Sequence, residues 1–302
     1  MRMKEPRVSV EDLRAFVAVA EAEHVTAAAG RLHLSQPAVT RALGRLEDQF
    51  GVQLFDRPGH RVRLNAFGAA LLGHARRIVA QFEAAQGEIT GLLDPHTGPV
   101  RIGFLHSLGT WLVPGLIRAF RVAEPRIAFV LRQATTDEVA RMLQHGEIDV
   151  LLSPRPPVNE PVSWQEIVRE RLELAVPADH RLAGRERMRL AEAADEPFVV
   201  VRPHSEFRQT TDRLCAQAGF SPEIAFESDE LTTVRALVAA GLGVAIVPVV
   251  DRQPAAAPTV PLTDPGADRP VGLSWMTHRR LPGPAEAFRT WLLENAHAEP
   301  WM

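Results

Sequence analysis

Several residue types are scarce in this chain of 302 residues, and their scarcity excludes some kinds of site. Cys215 is the only cysteine, so neither an intramolecular disulfide nor a cysteine-based structural zinc site can form. Its apolar neighbours Leu214 and Ala216 predict an inert, packed thiol. Lys4 is the only lysine and tyrosine is absent, so arginine is abundant throughout the chain and does not by itself indicate nucleic-acid binding.

Long apolar runs are also lacking. No stretch approaches the roughly 20 apolar residues that cross a bilayer, and the charges near the N-terminus are not followed by the apolar core of a signal peptide. We therefore expect a cytoplasmic protein without a membrane partner. The formal net charge is -3, so any contact with nucleic acid must come from a local surface.

With 46% hydrophobic residues, the chain has enough apolar material for two or three domains. Apolar residues at helical spacing predict a first helix. They are Leu13, Phe16, Val17 and Ala20. Thr26 is expected to cap a second helix that runs to Leu32, and Ser35 to cap a third. Pro37 fits the first turn of the third helix, where no N–H is needed, and Gly51 fits its end.

The third helix has an apolar and a polar side. The expected core side consists of Val39, Leu43, Leu46 and Phe50. The expected outer side consists of Gln36, Pro37, Thr40, Arg41, Gly44 and Arg45. Amide, hydroxyl and guanidinium groups near a helix N-terminus suit base edges and phosphates. This pattern predicts a helix-turn-helix whose third helix enters a DNA groove.

Arg57, Arg61 and Arg63 follow in a predicted two-stranded wing around Pro58 and Gly59. Their expected targets are flanking phosphates or the minor groove. The alternative is that all these arginines are ordinary solvated side chains on a small helical domain.

From Asn65, a predicted N-cap, helix-compatible sequence continues to about Leu93, and apolar residues recur at alternating steps of four and three. This heptad seam consists of Leu71, Ala75, Ile78, Phe82, Ala85, Ile89 and Leu92. About 28 residues at 1.5 Å each make a rod of roughly 42 Å, which favours a helix that pairs two subunits. A core helix packed on its own chain is the alternative. Residues 94–99 break the helix and predict a hinge.

The remaining two-thirds alternates strands and helices, which predicts a parallel sheet. The first set of strands is Val100–Leu105, Ile127–Gln133 and Ile148–Ser153, with helices Trp111–Arg121 and Asp137–His145. The second set has strands Leu172–Val176, Phe198–Val201, Ile224–Glu227 and Gly243–Val247, with helices Glu206–Ala218 and Glu230–Ala240. The proline-rich segment Ser153–Pro157 is the expected crossover. The strand Val271–Met276 and the helix Pro284–His297 then return, so subdomain I comprises residues 100–158 and 270–302, and subdomain II residues 159–269.

In parallel sheets, ligands bind beyond the carboxyl ends of the strands, where helix N-termini attract anions. That rule selects His106, Ser107, Thr110, Thr135, Thr136, His204, Arg208 and Ser228 as candidate ligand contacts. For the serines and threonines the alternative is simple helix capping. The lone histidines are more often polar loop residues.

The N-terminal motifs resemble the winged helix-turn-helix of LysR-type transcriptional regulators. The resemblance rests on Phe16, Ala27–Ala29, Leu32, Leu34–Thr40, Leu46–Glu47, Gly51–Arg57 and Phe67–Gly68, about 60 contiguous positions. Thr40 and Asn65 depart slightly from that pattern, and both keep a short polar side chain. Within the family, Phe104–Thr110 and Cys215–Phe220 are most similar to activators of glutamate-synthase operons.

This resemblance implies a mixed fold: a mainly α winged helix-turn-helix at residues 8–65, a dimerising linker helix at 66–93, and a two-subdomain α/β effector domain similar to periplasmic binding proteins. It also implies a dimer or tetramer on an interrupted near-palindrome of double-stranded DNA, with RNA polymerase as a further partner. The expected DNA contacts are Thr26, Ser35, Gln36, Pro37, Thr40, Arg41, Arg45, Arg57 and Arg61. A small anionic metabolite is the expected effector, and the positions around Ser107, Thr135 and His204 correspond to effector contacts in the family.

Motifs for catalysis are missing. Gly241-Leu242-Gly243 lacks the third glycine of a dinucleotide fingerprint and leads into a strand. Leu105 stands where a nucleophile elbow at Ser107 requires glycine, and the histidines show no paired metal-ligand spacing. We therefore expect no enzyme activity, no cofactor and no metal. Two other classes remain as alternatives: a solute-binding protein with an unrelated N-terminal domain, which would need export, and an enzyme on an α/β scaffold.

Overall fold

The structure, a computed structural model, describes residues 8–56, 62–94, 96–158, 161–203, 205–249 and 257–296. These residues form two compact units, one mainly before and one mainly after the junction between Leu93 and Asp94. The predicted contacts Arg57, Arg61 and His204 lie outside the described residues.

Four helices and a two-stranded ribbon make up the first unit. They are α1 (Val10–Ala22), α2 (Val25–Arg31), α3 (Gln36–Phe50), β1 (Phe55–Asp56), β2 (Arg63–Leu64) and α4 (Ala66–Leu93). β1 and β2 pair in antiparallel register, Phe55 with Leu64, as expected for a wing. Phe16 and Leu46 are fully buried at the centre of this unit.

The helix ends confirm most of the predicted caps. Ser35 Oγ accepts the N–H of Ala38 at the start of α3, and Gly51 ends that helix with φ 67°, a conformation that glycine adopts without strain. The prediction for α2 is wrong: His24 is its N-cap, and His24 Nδ1 accepts the N–H of Thr26 at 3.3 Å. A histidine ring nitrogen can replace the hydroxyl oxygen because either atom offers a lone pair to the first turn.

Two predicted core positions also need correction. The buried face of α1 includes Ala15, Ala18 and Val19, whereas Val17 is only half-buried. Small alanines let α1 approach its neighbours closely, so its buried face is wider than a stripe of large residues suggests. Phe50, expected in the core, is 51% exposed at the last residue of α3, whereas Leu46, one turn earlier on the same side, is fully buried.

α4 has the predicted length of 28 residues. Asn65 Oδ1 accepts the N–H of Gly68 at 3.0 Å, which caps the helix. A Cβ at Gly68 would lie 2.1 Å from the carbonyl oxygen of Leu54, so only glycine allows the first turn of α4 to pass this close to the wing. None of the helices that the structure describes is long and apolar enough to cross a membrane.

The second unit alternates strands and helices as predicted. Its elements are β3 (Gly98–Leu105), α5 (Leu112–Ala123), β4 (Ile127–Ala134), α6 (Thr136–His145), β5 (Val150–Ser153), β6 (Val162–Ala175), β7 (Pro197–Val201), α7 (Glu206–Gln217), β8 (Glu223–Ser228), α8 (Leu231–Ala239), β9 (Ala245–Pro248), β10 (Thr259–Pro261), β11 (Asp268–Met276) and α9 (Gly283–Asn295). β3 begins at Gly98, inside the segment expected to be a hinge.

The expectation of a parallel sheet is correct for part of this unit only. In the sheet order β10-β6-β11-β5-β3-β4, β3 runs parallel to β4 and β5, and β7 runs parallel to β8. β11 is antiparallel to both β5 and β6, and β6 is antiparallel to β9 and β10. The chain leaves through β6 and returns beside it through β11, so these two strands must run in opposite directions.

β6 is longer than predicted and joins two hydrophobic cores. Its residues Ile167 and Val168 belong to the core around α5 and α9, which we call lobe I. Its residues Leu172 and Leu174 belong to the core around α7 and α8, which we call lobe II. The crossover therefore lies within β6 and its partner β11, and not in the proline-rich segment Ser153–Pro157 as expected.

Candidate functional sites

The N-terminal half of α3 presents a polar surface. Ser35, Gln36, Pro37, Thr40 and Arg41 are all exposed. The opposite side of the helix is buried and consists of Val39, Ala42, Leu43 and Leu46. The helix is therefore packed with its polar face outward, as the sequence predicts.

On this surface, the side chain of Thr40 is fixed by a hydrogen bond, whereas that of Arg41 points into solvent. Thr40 Oγ1 donates to the carbonyl of Gln36 at 3.0 Å, which orients the threonine along the helix. None of the described residues forms an ion pair or hydrogen bond with the guanidinium of Arg41. Thr26 is exposed on α2, and Arg63 is exposed on the second wing strand. Arg41 is thus a cation presented to solvent beside an amide and a hydroxyl.

Arg45 is placed differently from Arg41. Its guanidinium binds the carboxylate of Asp12, with Nε 3.1 Å from Oδ1 and Nη2 on the same oxygen. Burial raises the pKa of Asp12, but Arg45 and the N–H of Ser9 outweigh burial and lower that pKa overall. The Arg45 side chain remains 50% exposed. Its main observed role is to hold α1 on α3, and DNA contact by this residue stays a prediction.

Glu47 has a structural role that the sequence did not reveal. Its side chain is buried, and Oε1 accepts the N–H of Leu54 at 2.9 Å. This bond joins the end of α3 to the residue that precedes β1. An acidic residue on the core side of an amphipathic helix, next to Leu46, is the signal that would have identified it.

In the second unit, the predicted residues after β3 and β4 lie close together, because these strands are neighbours. His106 and Thr110 are exposed, and Ser107 is half-buried. Thr135 donates to Glu138 Oε2 through its N–H at 3.1 Å and its hydroxyl at 2.7 Å. These two bonds lower the pKa of Glu138, with a smaller contribution from His106. Thr135 therefore acts as a helix cap in this structure, and Thr136 is the first residue of α6.

Ser107 belongs to a group centred on Arg269 that connects the two lobes. Arg269 is 3% exposed. Its Nη2 donates to Ser107 Oγ of lobe I at 2.9 Å, and its Nη1 donates to Glu206 Oε2 of lobe II at 2.8 Å. Its Nε donates to Glu170, its partner across the β6–β11 pair. The guanidinium also lies 4.7 Å from the centre of the Phe207 ring.

Burial and charge compete in this group. Burial alone would lower the pKa of Arg269, but the two carboxylates outweigh it and raise that pKa. Burial raises the pKa of Glu170, which Arg269 opposes only in part. The indole of Trp111 faces Glu170 and helps to lower the pKa of that carboxyl group. Within the part of the chain that the structure describes, Trp111 Nε1 and Glu170 Oε1 are both buried and neither completes a hydrogen bond.

The sequence did not select Arg269 or Glu170. Glu170 stands in alternation with Val168, Leu172 and Leu174, so it occupies an inward position of β6. A charged residue at an inward strand position requires a buried counter-charge, and that pattern would have identified it.

The prediction for Arg208 needs correction. Its side chain is 10% exposed and binds Asp212 through Nε at 2.9 Å, and Glu227 and the carbonyl of Val201 through Nη1. These bonds hold α7 against β7 and β8, so Arg208 is used within lobe II and is not part of the group around Arg269. Ser228 Oγ accepts the N–H of Glu230 at 3.5 Å, at the entrance to α8.

Comparison with known protein families accounts for both units. Residues 10–69 match the model of the bacterial regulatory helix-turn-helix proteins of the lysR family, and residues 93–297 match the LysR substrate binding domain. The chain is 36% identical over 286 residues to the uncharacterized transcriptional regulator YybE of Bacillus subtilis, covering 94% of this chain and 98% of the relative. It is 31% identical over 291 residues to the transcriptional dual regulator GltC of the same bacterium, covering 95% and 97%.

Solved structures with the same architecture include regulators bound to DNA and to peroxide. CbnR, a LysR family regulator also solved in complex with its target DNA, superposes with a TM-score of 0.76 at 27% identity, covering 95% of this chain and 99% of that one. Peroxide-bound OxyR of Corynebacterium glutamicum gives a TM-score of 0.61 at 26% identity, covering 99% and 95%.

Proposed function

This chain belongs to the LysR family of transcriptional regulators, which bind DNA and are not enzymes, and we propose that it reads its operator through α3 and responds to a small metabolite held between its two lobes. The observation that carries the proposal is the exposed strip Gln36, Thr40 and Arg41, placed opposite the buried face of α3. Such groups at the N-terminal half of a helix contact base edges and phosphates in the major groove.

The ribbon of β1 and β2 supports this proposal. It follows α3 along the chain, and the N–H of Leu54, the residue just before β1, donates to Glu47 near the end of α3. Arg63 is exposed on this ribbon and, with Arg57 and Arg61, is proposed to contact flanking phosphates. Ser35, Pro37 and Thr26 complete the proposed DNA surface, and Arg45 contributes through its exposed part.

Self-association through α4 is part of the proposal. The first residues of the seam serve the chain's own core, since Ala75 is buried and Leu71 packs against the core of the first unit. The following residues Ile78, Phe82 and Ile89 are 48%, 41% and 62% exposed. A face of large apolar residues on one long helix favours a helix-to-helix dimer. A dimer would place two recognition helices on an interrupted near-palindrome.

A second contact between subunits is proposed for the outer edges of the lobes. An open groove of about 780 Å³ runs between α5 and β4, and Val122 and Leu131 beside it are 85% and 43% exposed. On lobe II, Ile224 and Phe226 of β8 are 39% and 43% exposed. Both are apolar surfaces at outer strands of their sheets, which suit pairing between copies of the chain. Together with α4 they would build a tetramer.

The proposed effector is a small anion in the cleft marked by Ser107 and Arg269. His106, Thr110, Thr135 and Thr136 are the proposed contributions of lobe I to this site, and Ser228 and His204 are the proposed contributions of lobe II. The two lobes are proposed to exchange between an open and a closed arrangement. An effector shifts this equilibrium only if it binds one arrangement more tightly than the other. RNA polymerase is the further proposed partner, and the cytoplasm is the proposed location of the protein.

A gel-shift experiment with the full-length protein tests the proposal. The probe is the intergenic DNA upstream of the protein's own gene, and a shuffled sequence of equal length and composition is the control. We expect a selective shift that weakens steeply with salt. If both DNAs shift equally, or neither shifts at any salt concentration, the proposal fails. The alternatives of a solute-binding protein or an enzyme both predict no selective binding.

A further inference from the structure

We propose, on the basis of the proposed effector function, that Arg269 is a carboxylate-binding site that Glu206 fills in this structure, and that the ligand of the cleft is a small carboxylate that takes the place of Glu206. Arg269 makes the site specific for a carboxylate, and the Glu206 side chain is a stand-in that occupies the position of the ligand carboxylate.

The first step is the geometry of the arginine. Arg269 spreads its three nitrogens over three different partners: Glu170, Glu206 and Ser107. Its guanidinium has five N–H donors, and a planar fork of this kind matches a carboxylate. Because Arg269 is 3% exposed and contacts both lobes, whatever binds it is enclosed between them.

The second step is charge. Arg269 with Glu170 and Glu206 is a buried group of one guanidinium and two carboxyl groups, which occupy its Nε and Nη1. A third carboxylate cannot join it, because an uncompensated buried charge is strongly unfavourable. A carboxylate ligand must therefore replace one of the two glutamates.

The third step identifies which glutamate leaves. Glu170 lies in the middle of β6 with 1% of its side chain exposed, so it has no route to water. Glu206 is the first residue of α7, directly after the N-cap Ser205, and its side chain is 11% exposed. Rotation of its side chain carries the carboxylate out to solvent beside the helix N-terminus, which favours negative charge.

The fourth step is the set of polar atoms left for the ligand. Ser107 Oγ accepts from Arg269, and its hydroxyl hydrogen remains able to donate to a carboxylate oxygen. Trp111 Nε1 faces Glu170, and neither this nitrogen nor Glu170 Oε1 completes a hydrogen bond among the described residues. Buried polar atoms without a completed hydrogen bond are unfavourable, so a ligand whose second polar group reaches Trp111 Nε1 gains affinity there.

Chemical rescue tests this proposal without knowledge of the natural ligand. Glu206→Ala removes the stand-in and leaves a space that matches acetate, because alanine keeps Cβ and only Cγ and the carboxylate are lost. We expect acetate to raise the thermal unfolding midpoint of this variant saturably and to bind it roughly ten- to hundredfold more tightly than wild type, as a charged hydrogen bond predicts. Acetamide and sodium chloride at the same concentrations are the matched solutes.

Three variants make the result decisive. Glu206→Ala combined with Arg269→Met should lose the acetate response, and Glu223→Ala, which removes an exposed glutamate at the start of β8, should behave as wild type. If Glu206→Ala does not fold, Glu206→Gln is measured instead, because its amide keeps the shape and removes the charge. Equal responses to acetate and acetamide overturn the proposal. Equal affinity in wild type and in the Glu206 variant also overturns it.

The thermal unfolding midpoint and the affinity measured by titration calorimetry both report on this site in the absence of DNA. Failure of the rescue therefore leaves the operator binding untouched, and failure of the gel shift leaves the rescue untouched. The two proposals can be rejected separately.

Discussion

Arg45 Nε lies 3.1 Å from Oδ1 of Asp12, and this contact ties α3 to α1. Asp12 also caps α1 together with Ser9, whose N–H donates to its carboxylate at 3.0 Å. The buried carboxylate of Asp12 thus caps the start of α1 and also positions α3 through Arg45.

We expect Asp12→Asn to lower the free energy of unfolding at pH 7 by about 1–3 kcal/mol, because it weakens a cap and leaves Arg45 without its counter-charge. The pKa of Asp12 is lowered from 3.8 in the folded protein. The stabilisation is therefore complete above the unfolded value and is lost as pH falls through the folded-state pKa. Urea unfolding from pH 7 to pH 3 should show the difference from wild type shrinking below about pH 4.

The control for this measurement is Asp48→Asn, which neutralises an exposed carboxylate on α3. A difference between Asp12→Asn and wild type that stays constant across the pH range would contradict the role given to Asp12.

Arg41→Ala should weaken operator binding by roughly 1–3 kcal/mol if the guanidinium reads a base, and should leave the thermal unfolding midpoint unchanged because the side chain is exposed. If it contacts a phosphate instead, the slope of log affinity against log salt falls by about one. Fluorescence anisotropy at several salt concentrations distinguishes these cases. Arg187→Ala, an exposed arginine in lobe II, is the matched control, and wild-type affinity in Arg41→Ala would refute the proposed reading face.

Ile78→Glu combined with Phe82→Glu should convert the dimer into monomers in sedimentation velocity, since charges on a paired apolar face are buried without partners. Arg77→Glu lies on the same helix one position from Ile78 and off the seam, and should remain dimeric. An undisturbed oligomer in the double variant would mean that α4 does not pair subunits.

Val122→Glu combined with Leu131→Glu tests the contact proposed at the edge of lobe I. We expect these changes to reduce tetramers to dimers while the α4 dimer persists, because the two interfaces are separate surfaces. Val158→Glu, which alters an equally prominent exposed valine in the loop before β6, is the control. A tetramer that survives both edge substitutions rules out this surface.

Cys215 should be inert in the native protein. Burial raises the pKa of its thiol from 9.0 to about 12, so the thiolate is roughly a thousandfold scarcer than in an exposed cysteine. We expect a disulfide reagent to leave the folded protein unmodified at pH 7.5 and to react fully in urea. Hydrogen peroxide, which is bound in the OxyR structure, should not alter DNA binding here. Equal reaction rates in the folded and unfolded protein would show that the thiol is accessible.

Local patterns in the sequence predicted much of this protein. The caps at Ser35 and Asn65, the glycine at 51 and the limits of α4 depend on neighbours within a few residues, and all are present in the structure. The exposed strip on α3 follows in the same way, because a period of 3.6 residues places Gln36, Thr40 and Arg41 opposite Leu43 and Leu46. The family motifs are local too, and they identified the function.

Other features depend on residues far apart in the chain, and only the tertiary structure decided them. Arg269 meets Ser107 across 162 positions and Glu206 across 63. The antiparallel return of β11 and the crossover within β6 arise because the chain re-enters lobe I beside the strand by which it left. No local period records such a pairing, since burial and counter-charge are set by whichever strand comes to lie alongside. The sequence by itself therefore determined the exposed polar strip of α3, and the fold decided which charges meet between the two lobes of the second unit.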